Sequence, residues 1–147
     1  MNQHFIKHDT FALERSYNAS PARAFAAWAD PAIKSNWFPQ ALEFDFQVGG
    51  REVVQGGEPG GPVYTSVATY HEIMQDNRIV YTITIDKAET RISVSVVTVE
   101  FKPEGSRTQL IYTEQCAFFD GEDSVEDHIG GATDFLDKLG LELNDAQ

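Results

Sequence analysis

The chain has 147 residues, enough for one domain with a buried core of its own. Its formal net charge of −12 argues against nucleic acid and anionic membrane faces, because its 11 Lys and Arg residues are scattered and form no basic cluster. A lone Cys116 excludes an internal disulfide, and no apolar run is long enough to span a bilayer, so a reducing, cytoplasmic setting is expected.

The first ten residues hold no apolar run of the signal-peptide kind and read as a tail before a core over 11–143, with 1–147 as a single domain. Residues 11–17 alternate as a first strand. Ser20-Pro21 and then Asp30-Pro31 each pair an N-cap residue with proline at the first helical position, which predicts two short helices. The second should end near Trp37-Phe38-Pro39. Leu42, Phe44 and Phe46 alternate as a strand before a Gly49-Gly50 turn, and residues 51–55 return as its partner. The breaker-rich stretch 56–62 reads as a loop; it has neither the lysine nor the following helix of a phosphate cradle. Residues 64–74, 78–85, 91–101 and 107–118 are strands rich in Val, Ile, Thr and Tyr, separated by turns, which implies an antiparallel meander.

A long final helix follows. Val125, Ile129, Ala132, Leu136, Leu139 and Leu143 form its apolar stripe, and Ser124 with Asp127 offers a capping box. Gly130 and Gly131 interrupt it, each at a cost of about 1 kcal/mol relative to alanine. A bend, tight packing on a sheet, or the wall of a cavity would each account for them. The order of elements gives an α+β fold, a curved antiparallel sheet of six or seven strands around the C-terminal helix, with two short helices after strand one.

Period-two alternation puts Leu110, Tyr112, Glu114, Cys116 and Phe118 on one face of the last strand. Tyr64, Ser66, Ala68 and Tyr70 share a face two strands before residues 91–101, and Tyr81 shares one with Ile79, Ile83 and Ile85. Glu114 amid apolar neighbours reads as the polar anchor of a pocket or as a carboxylate bonded to a tyrosine hydroxyl. Desolvation should raise its pKa unless a cation lies nearby. A cavity beside Gly131 would be lined by Trp37, Tyr81, Tyr112 and Phe135, with Tyr64 and Glu114 as further ligand contacts. Cys116 reads as a small buried hydrophobe. His4, His8 and Asp9 lack the helix a chelating spacing needs, His71 and His128 have no partner at recognisable spacing, and no metal or cofactor is expected. The acidic residues after Phe119, among them Glu122, Asp123, Asp127 and Asp134, read as a solvated helix face before a docking surface.

The segments Arg15-Ser16-Tyr17-Asn18-Ala19-Ser20-Pro21, Trp37-Phe38-Pro39, Gly49-Gly50, Tyr70-His71-Glu72-Ile73, Thr108-Gln109-Leu110 and His128 through Leu139 resemble the START-like (SRPBCC, helix-grip) superfamily. More closely, they resemble homologues of the activator of the heat-shock-protein 90 ATPase. The resemblance implies the helix-grip fold, a cavity mouth near Trp37, and inward-facing positions at 132 and 114. Where the family carries tryptophan and histidine, this chain has Ala132 and Glu114, which implies a larger, more acidic pocket.

The reading these features favour is a binding protein for a small apolar or amphipathic molecule, without catalytic residues of its own. A cyclase- or hydratase-like enzyme using Glu114 and a tyrosine is the alternative; a chaperone-activating, protein-binding module is the third. The chain lacks the additional N-terminal domain of the eukaryotic activators, so no chaperone partner is expected. Nor is a nucleic acid or a membrane, and self-association is expected to go no further than a weak homodimer.

Overall fold

The computed structural model describes residues 3–145. Strand β1 (Ile6–Tyr17) leads into helices α1 (Pro21–Ala29) and α2 (Pro31–Lys34). Strands β2 (Glu43–Phe44), β3 (Arg51–Gly56), β4 (Tyr64–Met74), β5 (Arg78–Lys87), β6 (Thr90–Glu104) and β7 (Arg107–Phe119) follow, and α3 (Val125–Asp145) closes the order. The seven strands make one antiparallel sheet in the order β1-β7-β6-β5-β4-β3-β2, the expected helix-grip arrangement. Register shifts leave His71 unpaired between strands β4 and β5 and Ile92 unpaired between β5 and β6, placing bulges in β4 and β6, where a long sheet must bend.

Both helix starts follow from their caps. Ser20 Oγ accepts from Arg23 N at 3.2 Å, and Asp30 Oδ1 accepts from Ala32 N at 2.9 Å. Three boundaries differ from the sequence reading. The tail expected over residues 1–10 is strand from Ile6 onward, held by pairing with Phe119; residues 1 and 2 lie outside the described residues. Helix α2 stops at Lys34, after which Asn36 N and Trp37 N bond carbonyls three residues back, at 3.0 and 3.1 Å. The strand expected from Leu42 to Phe46 shrinks to Glu43–Phe44, because Gln47 N folds back onto Asp45 O at 3.0 Å. Gly50 is required in that turn: a Cβ there would lie 2.1 Å from Asp45 O.

From Ala132 onward α3 packs on β1 and α1 through Ala132, Leu136, Leu139 and Leu143, none more than 2% exposed. Tyr17 Oη donates to Leu136 O at 2.7 Å and pins β1 to the helix. Nearer the helix start, Val125 and Ile129 are only half-buried. The helix thus grips the sheet at one end and stands off it at the other. A second buried tie joins α2 to β3: Lys34 Nζ donates to Glu52 Oε1 at 2.6 Å, Tyr70 Oη donates to the same oxygen at 2.8 Å, and the ammonium lies 4.7 Å from the Phe38 ring centre. Burial pulls the Lys34 pKa down while Glu52 opposes it. Among the described residues, no helix is long and apolar enough to cross a membrane.

Candidate functional site

Where α3 stands off the sheet, a cleft of about 860 Å³ opens between the helix, the strands and the segment after α2. Its apolar wall comes from Trp37, Phe38, Ile83, Ile85, Ile92 and Phe135. The rings are mutually braced: Phe135 sits 6.1 Å from Trp37, 5.2 Å from Phe38 and 5.6 Å from Tyr112, centre to centre. Trp37 Nε1 is satisfied by Ala27 O at 3.0 Å, so the indole is both core and wall. A Cβ built on Gly130 or Gly131 would meet nothing within 4 Å, and Gly131 borders the cleft. Close packing therefore does not account for these glycines.

Of the residues singled out from the sequence, Trp37, Tyr64, Tyr112, Glu114, Gly131 and Phe135 border this space together. Tyr81 is not on the wall; its hydroxyl neighbours that of Tyr112, and its ring lies 5.7 Å from Tyr70. Tyr64 is exposed and stands on the open side.

At one end of the cleft lies a buried polar chain. Tyr112 Oη donates to Glu114 Oε1 at 2.9 Å, and His128 bridges two carboxylates, its Nδ1 2.6 Å from Glu114 Oε2 and its Nε2 2.6 Å from Asp123 Oδ2. Glu114 is 3% exposed. Burial pushes its pKa up, but the hydrogen bond and charge of His128 prevail and hold it below the ordinary carboxylate range. The expected upward shift is thus overturned by a cation that the sequence reading left without a partner. Burial lowers the His128 pKa and the two carboxylates more than reverse it, to about 9. Asp123 is lowered in the same way, against its burial. Asp123 also replaces Asp127 in the capping box: Ser124 Oγ accepts from Asp127 N at 3.2 Å as expected, but Ser124 N donates to Asp123 Oδ1 at 2.8 Å.

The sequence reading missed His128 and Asp123. A signal was present, since His128 stands four residues before Ala132 and seven before Phe135, on the helix face that meets the cleft. Cys116 is buried, as expected, with Sγ 3.5 Å from Glu114 Oε2, and burial pushes its thiol up to about 12. Ligand atoms of Glu114, Cys116 and His128 all lie within 4.8 Å of one another, a donor set a metal can use. Here both imidazole nitrogens face carboxylates, and the arrangement holds a proton between two acids.

The geometry has close counterparts. Mll3558 from Rhizobium loti is 40% identical, with a TM-score of 0.90 over 95% of this chain and 99% of its own. A protein from Rhizobium leguminosarum is 35% identical, with a TM-score of 0.90 over 97% and 98%. CalU16 from Micromonospora echinospora, at 19% identity and a TM-score of 0.69 over 96% and 85%, shares the fold. Comparison with curated proteins returns no match. Residues 18–144 match the family described as activator of Hsp90 ATPase homolog 1-like protein, and with that match, on a helix-grip fold, the chain belongs to this family of the START-like superfamily.

Proposed function

We propose that the chain is a cytoplasmic, single-domain binding protein that holds a small, largely apolar molecule in the cleft beneath the first half of α3. The observation that carries this reading is the cleft itself. A concave space of about 860 Å³, walled by aromatic and aliphatic side chains with a few convergent polar groups, has the size and chemistry of a ligand pocket. The paired glycines support it, because a helix that could carry side chains there without a clash leaves the space open instead. Trp37, Tyr64, Tyr112, Glu114, Gly131 and Phe135 are the proposed contacts, and Tyr81 acts behind them through Tyr112.

Native mass spectrometry of freshly purified protein tests the reading by seeking a co-purified small molecule. Gly131→Leu supplies the complement: it should abolish binding of an apolar probe dye while the circular dichroism spectrum stays unchanged. Undiminished dye binding in that variant would overturn the assignment.

A second reading is favoured by the Asp123–His128–Glu114 chain, whose carboxylates and imidazole are groups that general acid–base chemistry employs. It is a cyclase- or hydratase-like activity on a bound polar substrate. Release of a bound molecule unchanged after prolonged incubation favours binding; its conversion favours catalysis.

A further inference from the structure

Most hydrogen-bond donors on the wall of the cleft are committed, the Tyr64 and Ser66 hydroxyls, which can accept as well as donate, being the exceptions. Trp37 Nε1 donates to Ala27 O at 3.0 Å, Ser35 Oγ to Ala32 O at 2.9 Å, and Tyr112 Oη to Glu114 Oε1 at 2.9 Å. Asn36 Nδ2 donates to Glu142 Oε1 at 3.1 Å. His128, which would ordinarily receive an acidic ligand, has a carboxylate 2.6 Å from each ring nitrogen. Lys138, the one lysine on the wall, lies 3.1 Å from Asp134.

What remains is acceptor capacity. A carboxylate oxygen carries two lone-pair sites; Asp123 Oδ2 uses one on His128 and Glu114 Oε1 one on Tyr112, whereas Glu114 Oε2 takes both His128 and the weak Cys116 Sγ donor. Even with the imidazole protonated, two carboxylates around one cation leave an excess negative charge, in surroundings where charge is poorly screened. At the rim, Asp127 is exposed and enters no ion pair among the described residues. The aromatic faces of Trp37, Tyr112 and Phe135 complete a lining that attracts positive charge and repels negative charge.

We propose that the cleft takes an organic cation, an apolar body bearing a protonated amine whose N–H groups face the Glu114–Asp123 end. This rests on the reading of the cleft as a ligand site and adds the sign of the ligand. At the Glu114–Asp123 end a carboxylate or phosphate of the same shape would meet committed donors and negative charge. Each mismatch loses affinity, because buried polar groups left without partners are penalised.

The experiment is calorimetric titration of the full chain at neutral pH with three tail-matched probes: phenylbutylamine, phenylbutanol and phenylbutyrate. The amine should bind about tenfold or more tightly than the alcohol, a difference of about 1.4 kcal/mol, and the carboxylate more weakly than either. Glu114→Gln, titrated as a chain shown to be folded by circular dichroism, should reduce the amine's advantage over the alcohol to below about threefold. Because that substitution also disturbs His128, Asp127→Asn at the exposed rim provides a second arm, with a smaller loss confined to the amine. Equal binding of amine and alcohol, or tighter binding of the carboxylate, would overturn the cation assignment and leave the cleft as a ligand site. Failure of all three probes to bind a folded chain would overturn both.

Discussion

His128 shows how one side chain sets the properties of a site. Its pKa stands at about 9, against an ordinary value of 6.5, so the folded chain holds this proton more tightly than the unfolded one. The stabilisation is therefore complete below 6.5 and fades as pH rises through about 9. The gap corresponds to roughly 3 kcal/mol. Urea unfolding across that window should record the decline, and His128→Gln should flatten it; an unchanged slope in the variant would remove His128 as the cause. On the acid side, Glu114 and Asp123 titrate below their ordinary values of 4.5 and 3.8, so their share is present above those values and lost as pH falls further. Glu114→Gln removes the charge that holds the imidazolium. It should destabilise the chain at neutral pH, toward the roughly 3–5 kcal/mol typical of a broken buried pair. Desolvation alone, which dominates when Glu114 is considered only with its strand neighbours, would have made the same substitution stabilising. A measured gain in stability would mean that the partnership with His128 contributes little.

At the scale of elements, local chemistry was legible and long-range contact was not. The serine and aspartate caps, the two prolines and the apolar stripe of α3 act within a turn or two, so their consequences follow from neighbours in the chain. The start of β1 depends on Phe119 at the far end of the sheet, and that boundary moved; the end of α2 and the short β2 moved because tight turns two and three residues long interrupt them, which apolar alternation does not register. The site divides the same way. Alternation along β7 brought Tyr112 and Glu114 to one face, whereas Asp123 and His128 join them only because α3 folds back over the sheet. The buried Lys34–Glu52 pair, 18 residues apart in sequence, left no local trace at all. Two substitutions in α3 test the helix itself. Gly130→Ala places a methyl in open space and should stabilise the chain by about 1 kcal/mol. Ser124→Ala removes the acceptor for Asp127 N and should cost about 1 kcal/mol, read as a lower thermal midpoint.

Across the whole molecule, charge is abundant but locally balanced only for the basic residues. Among the described residues, nine of the 11 Lys and Arg side chains stand in ion pairs with carboxylates, which leaves the acidic excess of 12 charges without a counterweight. Self-repulsion of that excess is screened by salt. Thermal stability should rise with added sodium chloride, and a falling midpoint would assign the exposed pairs more weight than the repulsion. The same accounting leaves no basic stripe for an acidic protein partner. Adding the chain to a heat-shock-protein 90 homologue should leave ATP hydrolysis at its basal rate, and a saturable stimulation would promote a protein-binding role.

The pairing of β1 with β7 has a consequence for how the protein is made. Residues 6–17 lie against residues 108–119, with every strand between them a neighbour of the next. Strand β1 must therefore wait for its partner until β7 has been translated. At about 5–20 residues per second, that wait is on the order of 5–20 s. During it, β2 to β6 can close hairpin by hairpin while the nascent N-terminal segment, rich in unpaired backbone groups, stays open to whatever protects newborn chains. Translated after β7 comes α3, the element whose docking covers β1 and forms the cleft. A ribosome-stalled chain cut short of α3 would have its sheet but no place for a ligand.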